Sequence, residues 1–176
     1  MNLQSFYVKY EYPMTGDIQI DNEIKMNIDN RLNNFYSEIE LGTPNEQEYS
    51  LEITYDKKEY KEYVTYILYT TVYLGGAHPN TTIETFTYKN GKRIEIMDVI
   101  SKEELSKISN YVKKELLSHP GSVSDMIEEG TVSDYPNYRN FYYNDRGLVF
   151  IFEQYQVAPY SSGIIEVIVP YSILNF

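Results

Sequence analysis

The chain of 176 residues carries 15 Lys and Arg residues against 26 Asp and Glu residues, which gives a formal charge of −11 and an isoelectric point near 4.6. This excess of negative charge disfavours nucleic-acid binding, which needs cations to neutralise phosphates, and it makes a cationic partner the natural match. The sequence has no Cys, which excludes disulfides and thiolate chemistry, and no apolar run near the ~20 residues of a membrane-spanning helix.

The first predicted element is a helix over Asp21–Leu41. Apolar residues recur at spacings of three and four, which places them on one stripe of a helix: Ile24, Ile28, Leu32, Phe35 and Ile39. Gly42 and Pro44 are expected to end the helix.

Alternating residues then predict two strands, Tyr49–Asp56 and Glu62–Leu74, with a turn at residues 57–59. The second of these strands has one face typical of a core and one amphipathic face. A hairpin follows, with strands over Thr81–Tyr88 and Lys92–Ile96. Its joining residues, Asn90-Gly91, tolerate the positive φ that a type I′ turn requires.

A second amphipathic helix is predicted over Ser101–Ser118, where Ser101 and Glu104 form a capping box. Its apolar stripe contains Leu105, Ile108, Val112 and Leu116. A short helix over Ser122–Glu129, capped by Ser122, is expected after it.

The last third of the sequence is predicted to be β structure. Strands are expected over Asn140–Tyr143 and Leu148–Glu153, and Ile164–Val169 is apolar on both faces, as is typical of an interior strand. We therefore predict an α+β fold, a mainly antiparallel sheet covered on one face by two amphipathic helices, in one compact unit over residues 1–176.

Two loops are the candidate binding sites. The first follows a predicted strand and contains paired glycines that allow positive φ, a histidine and a proline: Gly75, Gly76, His78, Pro79 and Asn80. The second spans Tyr155–Gly163, where rigid aromatic contact area comes from Tyr155, Pro159 and Tyr160. Structural anchoring is the alternative interpretation of the first loop.

Acidic residues cluster in two runs that lack Lys and Arg. The runs contain Glu38, Glu40, Glu46, Glu48 and Glu52, and then Asp125, Glu128, Glu129 and Asp134. They are either solvated faces or a negative patch that steers a basic protein. Neither has the spacing of an EF-hand, so a dedicated calcium loop is not expected.

Catalytic signals are sparse. Only His78 and His119 are available, and no zinc-peptidase, serine-hydrolase, nucleotide or dinucleotide motif occurs. The alternative that remains is an enzyme that uses His78 with a nearby carboxylate. No metal site or cofactor is expected.

Two stretches carry a family resemblance. One is the GGAH segment with the following Phe86-Thr87-Tyr88, the Asn90-Gly91 turn and Asp98-Val99-Ile100. The other is FYYNDRGLVFIFEQYQVAPYSSGIIEVIVPYSIL, residues 141–174. Both resemble the bacterial domain of unknown function found in the extracellular part of the anti-sigma factor RsiV and with the peptidoglycan deacetylase PdaC. YEYP, residues 10–13, with its helix resembles the small module that usually precedes this domain.

The resemblance implies a small module over residues 1–45 and the larger one over residues 46–176. It also implies a non-enzymatic binding or sensing module displayed outside the cytoplasmic membrane, behind a signal or anchor that this sequence does not contain; the alternative location is the cytoplasm. A cationic protein of the lysozyme kind or a peptidoglycan fragment would then be its ligand. The second hypothesis is an enzyme acting on wall polymers that uses His78 with a nearby carboxylate. The third hypothesis is a structural spacer or dimerisation domain.

Overall fold

The computed structural model describes residues 5–41, 48–119 and 122–174, and these residues form the predicted α+β fold. The strands are β1 (Phe6–Tyr10), β2 (Tyr49–Tyr60), β3 (Tyr63–Tyr73), β4 (Asn80–Lys89), β5 (Lys92–Ile94), β6 (Phe141–Tyr143), β7 (Gly147–Phe152) and β8 (Ile165–Pro170). The helices are α1 (Ile18–Leu41), α2 (Ile96–Val99), α3 (Lys102–Leu117) and α4 (Ser124–Gly130). Within this described part, no helix combines the length and apolar character needed to cross a membrane.

The strands form two sheets instead of the single sheet that was predicted. One has five strands in the order β1-β2-β3-β4-β5, and the other has three in the order β6-β7-β8. β1 pairs in parallel with β2, so that Phe6 lies opposite Tyr49, and the pairs β4-β5, β6-β7 and β7-β8 are antiparallel.

Helix α1 confirms the predicted stripe and begins three residues earlier than expected. Ile24, Ile28 and Phe35 are buried, while Leu32 and Ile39 are half-buried. The earlier start follows from Asp17, whose carboxylate accepts hydrogen bonds from the N–H groups of residues 19 and 20 at 2.9 and 3.4 Å. The predicted stop at Gly42 and Pro44 lies outside the described residues.

The turn predicted at residues 57–59 is wrong. β2 continues to Tyr60, and the chain reverses at Lys61 and Glu62, where Lys61 has a φ of 53°. A two-residue reversal of this kind suits the right-handed twist of adjacent strands, so polar residues 57–59 remain in the strand. The middle of β3 is also buried on both faces, from Thr65 to Leu68, and not on one face as predicted.

The hairpin at Asn90-Gly91 is confirmed. Both residues have positive φ, 49° and 77°, as a type I′ turn requires. β5 is shorter than predicted because Ile96 begins α2, whose first turn is capped by the Glu95 and Asp98 side chains.

The capping box at the start of α3 is confirmed, since Ser101 and Glu104 each accept a hydrogen bond from the backbone N–H of the other. The four residues of its predicted stripe are buried. The cap predicted at Ser122 is wrong: α4 begins at Ser124, and its N-cap residue is Val123, which offers no side-chain acceptor.

The interior strand of the second sheet is β7 and not the predicted Ile164–Val169. All six residues of β7 are buried, and β6 and β8 pair with its two edges. β8 is the edge strand of this three-stranded sheet, and its burial alternates between Val167 and Val169, which are buried, and their more exposed neighbours. An apolar pattern on both faces therefore did not distinguish a central strand from an edge strand.

Contacts divide the chain into two compact units. Unit 1 contains Met1–Asp56 and Leu68–Ile83, and unit 2 contains Lys57–Ile67 and Glu84–Phe176. Unit 2 contains a large apolar core around the buried rings of Tyr138, Phe141, Phe150 and Phe152. The module boundary predicted between residues 45 and 46 stays a prediction, because contacts within one structure do not define a family module.

Candidate functional site

Residues 74–79 join β3 to β4 within unit 1, so Asn80, which was predicted to lie in the loop, is the first residue of β4. We keep the name Gly75–Asn80 loop for the predicted segment. Gly75 has a φ of 82°, a left-handed conformation that a residue with a Cβ adopts only at a cost. The Tyr73 hydroxyl donates a hydrogen bond of 3.0 Å to the Gly76 carbonyl oxygen. Gly76, His78, Pro79 and Asn80 are exposed. The loop is therefore held at its base and open to solvent, as a binding loop must be.

His78 lies on the surface of this loop. Its Nδ1 is 2.9 Å from the carbonyl oxygen of Pro79, and its ring is exposed. A general base is more effective in a cleft that excludes water. The exposed position therefore favours a structural or recognition role, while catalysis by His78 stays a prediction.

The Tyr155–Gly163 loop of unit 2 has a strained start. Tyr155 has a φ of 66°, which is rare for a bulky residue, and its side chain is 51% exposed. Its ring contacts the ring of Tyr160, with the centroids 5.8 Å apart. Pro159 and Tyr160 are half-buried. Strain of this kind persists only where neighbouring contacts hold the chain, and it concentrates at functional sites.

Two contacts hold this loop in place. Val157 is buried, and the side-chain amide of Gln156 donates hydrogen bonds to the carbonyl oxygens of Gly130 and Asn137 at 3.3 and 3.0 Å. The loop is therefore a preorganised platform for its two tyrosines. Because the two predicted loops belong to different units, each is a candidate site by itself.

An aromatic surface that the sequence reading did not predict lies on β1. Phe6, Tyr7 and Tyr10 are each about half exposed, at 49%, 50% and 49%. Tyr36 on α1 is 41% exposed, and its ring meets that of Phe6 edge to face at 5.9 Å. Because side chains alternate along a strand, Phe6 and Tyr10 project from one face of β1 and Tyr7 from the other, so the rings flank the strand on both sides. We call these four residues the β1 aromatic surface. The aromatic residues at positions 6, 7 and 10 were the available signal, but a five-residue strand is too short to identify by its alternation alone.

β1 is also the edge strand of the five-stranded sheet in the described part of the chain. An edge strand exposes backbone hydrogen-bonding groups on its open side, and exposed aromatic rings beside such an edge are typical of protein interaction sites. The β1 aromatic surface therefore has the composition of a contact surface for another protein.

The negative charge of the chain is concentrated in the unit that contains this surface. Unit 1 contains 11 acidic and 3 basic residues, a formal charge of −8, whereas unit 2 contains 15 acidic and 12 basic residues, a formal charge of −3. The two lysines of unit 1 are paired with carboxylates: Lys9 with Glu52 at 3.0 Å and Lys25 with Asp29 at 2.6 Å.

These two ion pairs leave the net charge of unit 1 unchanged. Hydrogen bonding to the partner carboxylate raises the pKa of both lysines above the usual value, so they remain charged and locally neutralised. Other acids of unit 1 are exposed, including Glu11, Glu38 and Glu40. No cluster of three or more His, Asp or Glu side chains suited to a metal ion occurs among the described residues.

The second acidic run lies in unit 2 and is partly neutralised. Glu128 forms an ion pair with Lys113, while Glu129 and Asp134 are exposed. Glu46, from the first run, lies outside the described residues. The charge imbalance is thus larger in unit 1, although the sequence pattern gave the two runs equal weight.

Comparison with known proteins shows that part of the chain is similar to a protein family. Residues 97–172, from within α2 to just beyond β8, match the family model described as "Protein of unknown function (DUF3298)". The predicted resemblance to a family of unknown function is confirmed at this level. The link to RsiV and PdaC and the small amino-terminal module stay predictions.

Two solved structures share the fold. One is a member of the DUF3298 family from Bacteroides fragilis, 17% identical, with a TM-score of 0.58 over 88% of this chain and 64% of that chain. The other is a DUF3298 family protein from Pseudomonas aeruginosa, 16% identical, with a TM-score of 0.56 over 80% of this chain and 65% of that chain. This chain thus spans slightly less than two thirds of either protein. No curated protein matches it.

Proposed function

We propose that this chain is a non-enzymatic binding module of the bacterial cell envelope that recognises a cationic protein through unit 1. The observation that supports the proposal is the coincidence, in one unit, of a formal charge of −8 with the β1 aromatic surface. The position outside the cytoplasmic membrane rests on the family resemblance described above.

The two features have complementary roles in recognition. Negative charge raises the rate of encounter with a positively charged partner, and it does so from a distance of about 10 Å or more at low salt. Exposed rings such as those of Phe6, Tyr7 and Tyr10 supply the short-range contact area that anchors most interfaces. The Gly75–Asn80 loop, which is also exposed in unit 1, is the second candidate contact.

A titration with two basic proteins tests the proposal. The protein is titrated with a lysozyme and with cytochrome c, a basic protein that is not a glycosidase, at low and at physiological ionic strength. We expect lysozyme to bind more tightly than cytochrome c, and its association rate to fall steeply as salt rises. Equal weak binding of both proteins would show that charge alone attracts them and would overturn specific recognition.

Paired variants locate the surface. The double variant Glu38→Gln, Glu40→Gln removes two exposed charges from unit 1, and Glu129→Gln, Asp134→Asn removes two exposed charges from unit 2. We expect the first pair to lower the association rate about two- to five-fold and the second to have a smaller effect. Tyr10→Ala should raise the dissociation rate with little change in association. Equal effects of the two charge pairs would contradict a surface on unit 1.

A further inference from the structure

Unit 2 contains a pocket that the proposed function does not use. Its volume is about 640 Å³, within the range of small-ligand sites. Its wall and rim include four tyrosines and two lysines: Tyr60, Tyr63, Tyr143, Tyr171, Lys61 and Lys89. We call it the tyrosine pocket.

The β2-β3 hairpin and the second sheet together build this pocket. The hairpin turn at Lys61 and Glu62 places Tyr60 before it and Tyr63 after it, β6 supplies Tyr143, and Tyr171 follows β8. The Tyr63 and Tyr143 rings stack closely, with centroids 3.9 Å apart. Tyr143 is only 6% exposed, so this pair forms a closed floor.

The second pair of rings is more open. The centroids of Tyr60 and Tyr171 are 6.3 Å apart with an interplanar angle of 20°, and both side chains are half-buried. The Tyr171 hydroxyl donates a hydrogen bond of 2.8 Å to the Asn144 carbonyl oxygen, which fixes its ring. Burial, reinforced by neighbouring tyrosines, raises the pKa of Tyr171 to about 12 and that of Tyr143 further, so both hydroxyls stay protonated.

The two lysines at the rim differ in their partners. The Lys89 ammonium lies 2.9 Å from the Glu62 carboxylate, which neutralises it. The Lys61 ammonium lies 5.0 Å from the centre of the Tyr60 ring, and within the described part of the chain it forms no ion pair. Lys61 is exposed at the hairpin turn, and its backbone is held in a left-handed conformation there. Lys61 therefore places a cation without an ion pair beside the tyrosine wall.

We propose that the tyrosine pocket binds a sugar ring that carries a carboxylate. The apolar C–H surface of a pyranose packs against aromatic rings, and its hydroxyl groups exchange hydrogen bonds with tyrosine hydroxyls. The carboxylate pairs with the Lys61 ammonium at the rim, where a charge-assisted hydrogen bond forms. A second copy of this acidic chain is a poorer occupant, because its net negative charge opposes close approach.

Two disaccharides that differ chiefly in one carboxylate test this proposal. N-acetylglucosaminyl-N-acetylmuramic acid carries a lactyl carboxylate, and N,N′-diacetylchitobiose, which keeps both N-acetyl groups, does not. In a calorimetric or NMR titration we expect the acidic disaccharide to bind about three- to five-fold more tightly, the range for a rim charge pair. No detectable binding of either sugar, or equal binding of both, would overturn the proposal.

Variants assign the effect to the pocket. Lys61→Gln should bring the affinity ratio of the two sugars close to one, whereas Lys114→Gln, which removes an equally exposed charge from α3, should leave it unchanged. Tyr60→Ala should weaken binding of both sugars, and Tyr60→Phe, which keeps the ring, should retain most of it. If Lys61→Gln leaves the ratio unchanged, the carboxylate does not bind there and the proposal fails.

This inference is independent of the proposed function, because the two surfaces belong to different units. Lys61→Gln should not weaken binding of the basic protein, and Tyr10→Ala should not weaken binding of the sugar. Either proposal can therefore fail while the other stands.

Discussion

Replacement of Thr87 by Val provides a sharp test of how unit 2 is held together. Thr87 on β4 is 1% exposed, and its hydroxyl donates a hydrogen bond of 3.1 Å to the Phe141 carbonyl oxygen on β6. The Thr65 hydroxyl on β3 lies 3.1 Å from the same oxygen of Thr87. The Thr87 hydroxyl thus links three strands, and valine has nearly the same shape as threonine but lacks the hydroxyl.

The expected loss of stability is about 2 to 3 kcal/mol. Each of the two hydrogen bonds contributes about 0.5 to 1.5 kcal/mol, and the buried Thr65 hydroxyl left without this partner adds about 1 kcal/mol or more. The methyl group gained on the valine offsets part of this sum, because a buried CH₂-sized group contributes about 0.8 kcal/mol.

Thr70 offers a matched control with the opposite expected sign. It is 3% exposed on β3, and its hydroxyl oxygen is buried without a hydrogen-bond partner among the described residues. Thr70→Val removes a buried polar group that is not satisfied, so we expect a gain of about 1 kcal/mol. The two substitutions exchange the same atoms, so differences in strand propensity largely cancel.

Urea denaturation followed by circular dichroism and tyrosine fluorescence measures both variants. Comparison of midpoints at constant slope gives the change in unfolding free energy. Because Thr87 lies in unit 2 and Thr70 in unit 1, two separate transitions would report on each residue in its own unit. The reasoning is refuted if Thr87→Val unfolds at the wild-type midpoint, or if Thr70→Val is destabilised as much as Thr87→Val.

Three further predictions concern particular residues. A Cβ at Gly130 would lie 1.9 Å from the Gln156 carbonyl oxygen, so Gly130→Ala should lower the unfolding free energy by about 2 to 3 kcal/mol in the same urea assay. A Cβ at Gly76 would meet only the His78 carbonyl oxygen, at 3.9 Å, so Gly76→Ala should change the unfolding free energy by less than about 0.5 kcal/mol. Ser101→Ala removes the α3 cap and should cost about 1 kcal/mol, with a lower thermal midpoint. Burial raises the pKa of Tyr138 from 10.0 to about 12, so its contribution to stability should be complete below pH 10 and should disappear as the pH rises to about 12. Because Tyr143 and Tyr171 also have raised pKa values, an ultraviolet absorbance titration should show one late-titrating tyrosine fewer in Tyr138→Phe than in the wild type.

Elements with strong local signals were predictable. The α1 stripe, the Ser101 capping box and the Asn90-Gly91 turn are confirmed, because each depends on residues within a few positions of one another. The prediction of a turn at residues 57–59 was wrong, because polar residues alone do not end a strand that pairs with its neighbours. The Lys61 reversal had no glycine or asparagine to mark it.

The candidate loops were only partly predictable. The paired glycines correctly indicated an exposed loop at Gly75–Asn80, and the proline and tyrosines indicated the Tyr155–Gly163 loop. The positive φ of Tyr155 could not be predicted, because tyrosine has no local preference for that conformation. It follows from contacts such as those of Gln156 with residues 130 and 137.

The sequence by itself determined the fold class, the net charge of −11 and those helices and strands whose apolar residues recur with a clear period. Tertiary structure decided which strands are central, that Phe6 pairs opposite Tyr49 across 43 residues, and that most of the charge imbalance lies in unit 1. It also decided that tyrosines as far apart as residues 60 and 171 form one pocket. The physical reason is that period and turn chemistry act over a few residues, whereas strand order and pockets depend on contacts between distant segments.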